Sequence, residues 1–342
     1  MDGAGHTHED KTGEAKTGAA KPQDPKLADM VLIPGNPPPE GAEVIWYTGK
    51  AGNRCRLLFA PGPPKKEGGD NTVKTRGAVI VCPGRTEFIE KYFEVARELQ
   101  GRGFSVVIFD WPGQGLSERL HADKSAGHIR NYGQYVDAMV RGLEKVHRRT
   151  GDRWVILAHS MGATIATEAL RLQKIRVSAA AFSAPMWGFQ IWFFQRWYGR
   201  LVRMCGLGGM LARPPQPPET FSNNQLTHDE PRWQLFRKLL EADPRLATGE
   251  PTIAWVVASL NVMHEFFEPG ALDHIRNLPA VIAIAEDETI VKKSAQRKLA
   301  RRFKEAKTIV VKGAGHEILM ETDHRRAEFW KAFDDMCKRA RI

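Results

Sequence analysis

The chain has 342 residues, of which 42% are hydrophobic, and its 50 basic and 40 acidic side chains give a formal net charge of +10. That content excludes wholesale disorder and is enough for a sizeable core, while the charge favours anionic partners without choosing among nucleic acid, membrane and acidic substrate. Cys55, Cys82, Cys205 and Cys337 lie far apart with no C-x-x-C pair, so neither a disulfide scaffold nor a thiolate zinc site is expected and a reducing compartment fits better.

Residues 1–40 are rich in Gly, Ala, Lys, Asp and Pro, show no apolar period and read as a disordered tail. The first residues contain no apolar h-region, so no secretory signal is expected. His6 and His8 form an H-x-H pair there, but two ligands on such a segment do not close a metal shell. From Ala42 the pattern changes. Glu43–Tyr47 and Arg56–Ala60 read as a hairpin around a turn at 49–53. Then come a buried-type strand at Ala78–Cys82, a helix over Phe93–Leu99 stopped by Gly101 and Gly103, and a strand at Phe104–Phe109. A helical stripe over Tyr132–Val146 leads to a strand at Trp154–Ala158, a helix at Ala163–Leu172 and a strand at Val177–Phe182. The alternation resumes with a strand at Ala280–Ala285, a helix over 293–303, a strand at Thr308–Val311 and a last helix over 324–340.

Alternating strands and helices with continuously apolar strands predict an α/β fold with a mainly parallel sheet flanked by helices. The expected organisation is a core over 41–186, a helical cap inserted over 187–275, and the rest of the core over 276–342. In the cap, Trp187, Ile191, Phe194, Tyr198, Leu201 and Cys205 recur at steps of four and three, which puts them on one helix face. Arg196, Arg200 and Arg203 fall on another face and interrupt the most apolar stretch, so no spanning helix is expected. The aromatic face packs on the core or touches lipid, and Trp187, Phe194 and Tyr198 are its candidate substrate contacts. The expected location is cytoplasmic or peripheral at an anionic membrane surface.

The central chemical signal is Ala158-His-Ser-Met-Gly162, in which a buried strand runs into Ser160 and a helix begins at once. Small residues at −2 and +2 permit a tight strand-to-helix turn that lifts the hydroxyl out at the carboxyl end of the sheet. A serine needs a base, and His316 sits among glycines just after the last strand. A third group must orient the histidine, and Asp287, after the strand ending at Ala285, is the expected acid, with the adjacent carboxylates Glu286 and Glu288 as alternatives. The backbone N–H of Met161 and of Arg85, in the loop after Cys82, are the candidate oxyanion donors. This mechanism requires no metal and no organic cofactor.

Cys82-Pro-Gly-Arg-Thr-Glu87, Phe109-Asp-Trp-Pro-Gly-Gln-Gly-Leu-Ser117, the Ser160 turn, Ala285-Glu-Asp287 and Gly313-Ala-Gly-His316 resemble the successive motifs of α/β-hydrolases. The chain is most similar to bacterial lysophospholipases and monoacylglycerol-lipase-like serine hydrolases over residues 40–340. Asn224–Asp229 and Pro251–Trp255 resemble cap segments of the lysophospholipase group. The resemblance implies hydrolysis of lipid esters through Ser160, His316 and Asp287 by way of an acyl-enzyme. It also implies that Asp110, Gly113, Gly115 and Ser117 shape a loop near the site. Two departures stand out: Pro83-Gly84 replaces the His-Gly of monoacylglycerol lipases, and Ala158 replaces a glycine. The first leans toward the lysophospholipases. General carboxylesterase, thioesterase and peptidase activity share the same chemistry. A non-catalytic binding module is disfavoured by the intact serine, acid and histidine. Nucleic acid is not an expected partner, because no basic-aromatic module is present.

Overall fold

The computed structural model describes residues 27–62, 76–189, 201–202, 204–216 and 219–342. Eight strands form one sheet: β1 (Glu43–Thr48), β2 (Arg54–Ala60), β3 (Ala78–Cys82), β4 (Ser105–Asp110), β5 (Trp154–His159), β6 (Ala179–Ser183), β7 (Ala280–Ala285) and β8 (Ala306–Val311). Their spatial order is β1-β2-β4-β3-β5-β6-β7-β8, with the β1–β2 and β2–β4 pairs antiparallel and the remaining pairs parallel. Sequences such as Ala-Val-Ile-Val-Cys in β3 and Ala-Val-Ile-Ala-Ile-Ala in β7 are buried along their whole length. Strands apolar on both faces need helices on both faces.

Those helices are α1 (Phe93–Gly101) and α7 (Asp323–Arg339) on one side, and α2 (Gly133–Thr150) and α3 (Met161–Arg171) on the other. Helix α6 (Lys293–Ala300) connects β7 to β8. Between β6 and β7 lie α4 (Glu230–Ala242) and α5 (Ile253–Glu265). Asp229 caps α4 by accepting the Arg232 N–H at 2.9 Å, and Thr252 caps α5 by accepting that of Trp255. The chain before α5 is stitched to the core: Gly127 N–H donates to Glu250 O, and Thr252 N–H to Gly127 O, both at 2.9 Å. Among the described residues, no helix is long and apolar enough to cross a membrane.

Two expectations are corrected. The disordered-tail reading of residues 1–40 fails for 27–40. Met30 is buried, Val31 N–H donates to Glu90 Oε1 at 3.1 Å, and the Asn36 amide donates to Glu90 O at 2.8 Å. Scattered long-range contacts to Glu90, Arg56, Trp46 and Gln100 hold this segment, and they leave no apolar period in the sequence. Residues 1–26 lie outside the described residues. Trp187 is not on an exposed cap face. It follows β6 in an irregular connection and is fully buried, stacked on Phe303, edge-on to Phe182 and donating its indole N–H to Thr167 Oγ1 at 3.1 Å. Phe194 and Tyr198 lie outside the described residues.

Candidate active site

Ser160 stands between β5 and α3 with φ +49° and ψ −118°, a conformation costly for a residue with a side chain. The surroundings enforce it. Ser160 N–H donates to Ser183 O at 3.1 Å, and Ser160 O accepts the Met186 N–H at 3.0 Å. A Cβ on Gly162 would sit 2.0 Å from Cys82 O and 2.6 Å from Pro83 O, so only glycine lets the first turn of α3 approach the loop after β3. Ala158 is buried between its register partners Cys82 and Phe182. The glycine two residues after the serine thus has a direct steric cause.

His316 arrives on the loop after β8. Its Nε2 lies 2.9 Å from Ser160 Oγ and its Nδ1 lies 2.7 Å from a carboxylate oxygen, that of Glu288 and not of Asp287. Asp287 is exposed, and its backbone N–H is used by Ala314 O at 3.0 Å. Glu288 is buried and turned inward because its other oxygen accepts the N–H groups of Ile290 and Val291, at 2.8 and 3.1 Å. The expected acid is therefore corrected by one residue: the tight turn after β7 sends side chain 287 to solvent and side chain 288 to the histidine. Burial would raise the Glu288 carboxyl, but the His316 hydrogen bond and charge, with the two backbone donors, hold it below its ordinary range. An ionised carboxylate only accepts, so Nδ1 carries the proton and Nε2 is free to accept the serine proton.

The oxyanion side is assembled from the loop after β3. Met161 opens α3, so its N–H has no partner within the helix. Gly84 touches the nucleophile closely: a Cβ there would lie 3.2 Å from Ser160 Cβ. Gln114 clamps the loop from both ends, donating to Gly84 O at 3.1 Å and accepting Thr86 N–H at 3.2 Å, which leaves the Arg85 amide between the two clamped positions. Ser160 and His316 are thus in contact, with Met161 next to the serine and Arg85 on the adjoining loop, whereas Asp287 and Trp187 point elsewhere.

Sequence reasoning ranked Glu288 behind Asp287, and it missed Gln114 and the buried charges behind the loop. Gln114 sits in the glycine turn Gly113-Gln-Gly115, and a side chain with both donor and acceptor in such a turn was the available signal. Behind it, Glu87 accepts the Gly84 N–H and the Tyr92 hydroxyl, the latter at 2.6 Å. Lys91 Nζ bridges Glu87 Oε1 at 2.8 Å and Glu317 Oε1 at 2.5 Å. Burial opposes the Glu87 charge, but Lys91 and its hydrogen bonds hold the carboxyl down at about 2. Burial also lowers His159 to about 4, so this ring, 4.9 Å from that of His316, is neutral. Glu87, His159 and Glu317 bring ligand atoms within 4.8 Å of one another, the only such group among the described residues. The Lys91 ammonium already lies between the two carboxylates, so the cluster is a closed ion network rather than a fit for a metal.

The Asp110 turn is structural. Asp110 accepts the N–H groups of Ile89 and Leu116 and pairs with Arg56, and a Cβ on Gly115 would fall 2.2 Å from its carboxyl.

A family model described as "Serine aminopeptidase, S33" (Hydrolase_4) matches residues 73–323. The chain is 34% identical over 285 residues to "Lysophospholipase L2" of Escherichia coli (strain K12), covering 76% of this chain and 80% of that protein. It is 30% identical over 262 residues to "Probable lysophospholipase L2" of Haemophilus influenzae, covering 75% and 82%. Among solved structures, a soluble variant of monoglyceride lipase from Saccharomyces cerevisiae aligns with a TM-score of 0.66 at 16% identity, over 87% of this chain and 96% of that one. A thermostable carboxyl esterase from Bacillus coagulans aligns with a TM-score of 0.70 at 14% identity, over 88% and 99%.

Proposed function

The chain belongs to the Hydrolase_4 family of α/β-hydrolases, and from that premise we propose that it cleaves the carboxylic ester of lysophospholipids or monoacylglycerols through Ser160, His316 and Glu288. The observation that carries this reading is the continuous hydrogen-bonded chain from Ser160 Oγ through His316 to Glu288. His316 Nε2 takes the hydroxyl proton as Oγ attacks the ester carbon, and the carbonyl electrons move onto oxygen, facing the Met161 and Arg85 N–H groups. Collapse of the tetrahedral intermediate expels the alcohol, which receives the proton from His316. Water, deprotonated by the same histidine, then frees the fatty acid and restores Ser160. Glu288 stabilises the imidazolium in both steps.

The lipid class rests on the two lysophospholipase relatives at 30–34% identity. A fluorophosphonate probe is expected to label Ser160, and Ser160→Ala is expected to abolish turnover of a p-nitrophenyl ester and of a panel of lysophospholipids and monoacylglycerols. Persistent turnover in that variant overturns the assignment. Peptide cleavage is the competing reading, favoured by the family's description. Faster turnover of an aminoacyl p-nitroanilide than of every lipid would establish it instead.

Contact with a membrane surface is part of the same proposal. Leu201, Met204, Leu207 and Met210 are exposed, Met204 at 83%, in the segment between β6 and β7. Residues 292–342 hold 15 Lys and Arg against 7 Asp and Glu. An apolar patch with basic charge elsewhere on the surface suits anionic bilayers, where lysolipids collect. Sedimentation with anionic liposomes and not with neutral ones is the expected result; equal binding to both refutes the part assigned to charge.

A further inference from the structure

The Arg85 side chain does something that its backbone role does not require. From the loop after β3 it runs beneath the segment between β6 and β7, where Nη2 donates to Gly249 O and the guanidinium carbon lies 5.5 Å from the centre of the Trp255 ring. It forms no ion pair among the described residues. Glu250 is the nearest acidic influence, and its Oε2 is engaged by Arg213 Nε at 2.5 Å. Arg85 Nε is shielded from solvent and has no hydrogen-bond partner among the described residues.

A second orphan belongs to a residue of the same neighbourhood. Thr248 Oγ1 is likewise shielded and unpartnered among the described residues. The two residues meet at Gly127, where a Cβ would stand 3.5 Å from Arg85 Nη2 and 3.6 Å from Thr248 Cγ2. The neighbouring polar side chains are satisfied among themselves. Tyr132 pairs with Ser259 at 3.1 Å, and the Trp255 indole N–H donates to the Tyr135 hydroxyl at 3.2 Å. A guanidinium partly withdrawn from water without a paired carboxylate is expensive, and burial lowers it to about 10 against the opposing charge of Glu250. Unmet donors on a cation and a neighbouring hydroxyl call for an anion with several acceptor oxygens.

The location specifies the anion. Gly84, the residue before Arg85, nearly touches Ser160, so the guanidinium stands within one arginine side chain of the scissile ester. In a lysophospholipid the glycerol backbone separates the ester from a phosphate. In a monoacylglycerol the same place holds only hydroxyls. We propose that Arg85 and Thr248 form the binding site for the substrate's phosphate, which makes lysophospholipids the preferred substrates over monoacylglycerols. The inference rests on the lipid-ester reading above and deepens it. The same cation opposes an incoming ammonium, which is the group an aminopeptidase would have to admit.

The test compares kcat/KM for lysophosphatidylglycerol, lysophosphatidic acid and a monoacylglycerol of the same acyl chain, using the full chain and its Arg85→Gln and Thr248→Val variants. The quantity read is the ratio of each lysolipid to the monoacylglycerol. Arg85→Gln is expected to lower that ratio about 10- to 100-fold, mainly through KM, and Thr248→Val to lower it several-fold. Loss for the diester, the monoester or both identifies which phosphate the site serves. sn-Glycerol 3-phosphate is expected to inhibit the wild-type enzyme competitively and Arg85→Gln more weakly. If Arg85→Gln does not fold, the Thr248→Val ratio and wild-type inhibition by glycerol 3-phosphate decide the matter. Ratios unchanged in the folded variants, or no inhibition of the wild type, overturn the phosphate site while lipid hydrolysis stands. Failure of the wild type to hydrolyse any of the three lipids overturns both.

Discussion

Two arginines in different regions of this molecule turn donors away from water, Arg56 with its whole side chain and half-buried Arg85 through its Nε, and they are treated in opposite ways. Arg56, on β2, is fully buried and saturated: Nε bonds Asp110 at 2.7 Å, Nη1 and Nη2 bond Glu90 at 2.9 Å, and Nη1 also reaches Asp29 O at 2.8 Å. Its charge is held above the ordinary arginine range by those carboxylates in spite of burial. Arg85, under the segment between β6 and β7, has an aromatic ring, one carbonyl and an orphaned Nε. A saturated network has no capacity for a ligand and can only serve the fold. An unsaturated one carries a cost that a ligand can relieve. If that contrast is sound, cuts in the first region weaken the fold and cuts around the second weaken turnover.

The largest effect is expected at the site. Glu288→Gln removes the carboxylate that fixes the His316 tautomer and should lower kcat about 10⁴-fold, with a thermal midpoint near that of the wild type. A large loss of stability instead would move Glu288 into the structural class. Next, Arg56→Met strands Asp110 and Glu90 as unpaired buried charges and should cost about 3–5 kcal/mol in urea unfolding, while the folded fraction still reacts with a fluorophosphonate at the wild-type rate. A slowed reaction would break the separation between the regions.

The Glu87 network lies between the two classes, and pH resolves its contribution. The folded carboxyl, at about 2, is depressed below its ordinary value of 4.5, so its stabilisation is complete above pH 4.5 and is lost as pH falls toward 2. The drop in thermal midpoint caused by Glu87→Gln should therefore be largest at pH 7 and shrink between pH 4.5 and 2. A pH-independent drop would mean that lost packing, not charge, is responsible. The smallest effect belongs to Asp287→Asn, which should change kcat less than about twofold because an exposed carboxylate makes little net contribution. A loss comparable to that of Glu288→Gln would restore Asp287 as the acid.

What could be read from the sequence follows the range of the interactions involved. The sheet, its flanking helices and the Ser160 turn are local: continuous apolar runs and small residues at fixed offsets state them directly. Even the one-residue choice between Asp287 and Glu288 is nearly local, but it depends on which backbone N–H groups in Thr289–Val291 a carboxylate accepts, and periodicity does not encode that. Trp187 fitted a helical spacing with residues that follow it, yet its burial is decided by Phe182, Thr167 and Phe303. The ordered segment at 27–40 depends on Glu90, more than fifty residues away, and the Arg85 guanidinium on Gly127, Gly249 and Trp255. Contacts of that range exist only once the chain is folded.

The insertion between β6 and β7 has a practical consequence. Its two ends leave from strands that lie side by side in register, with Ser183 paired to Ala283. Because these strands run parallel, a replacement that still crosses from the carboxyl end of β6 to the amino end of β7 can leave their ladder intact, which makes the pair a natural graft point. A chimera carrying another insertion there would keep Ser160, His316 and Glu288 but lose Gly249, Thr248 and Trp255 together. Substrate choice would then be inherited from the donor segment, and the reaction from the recipient.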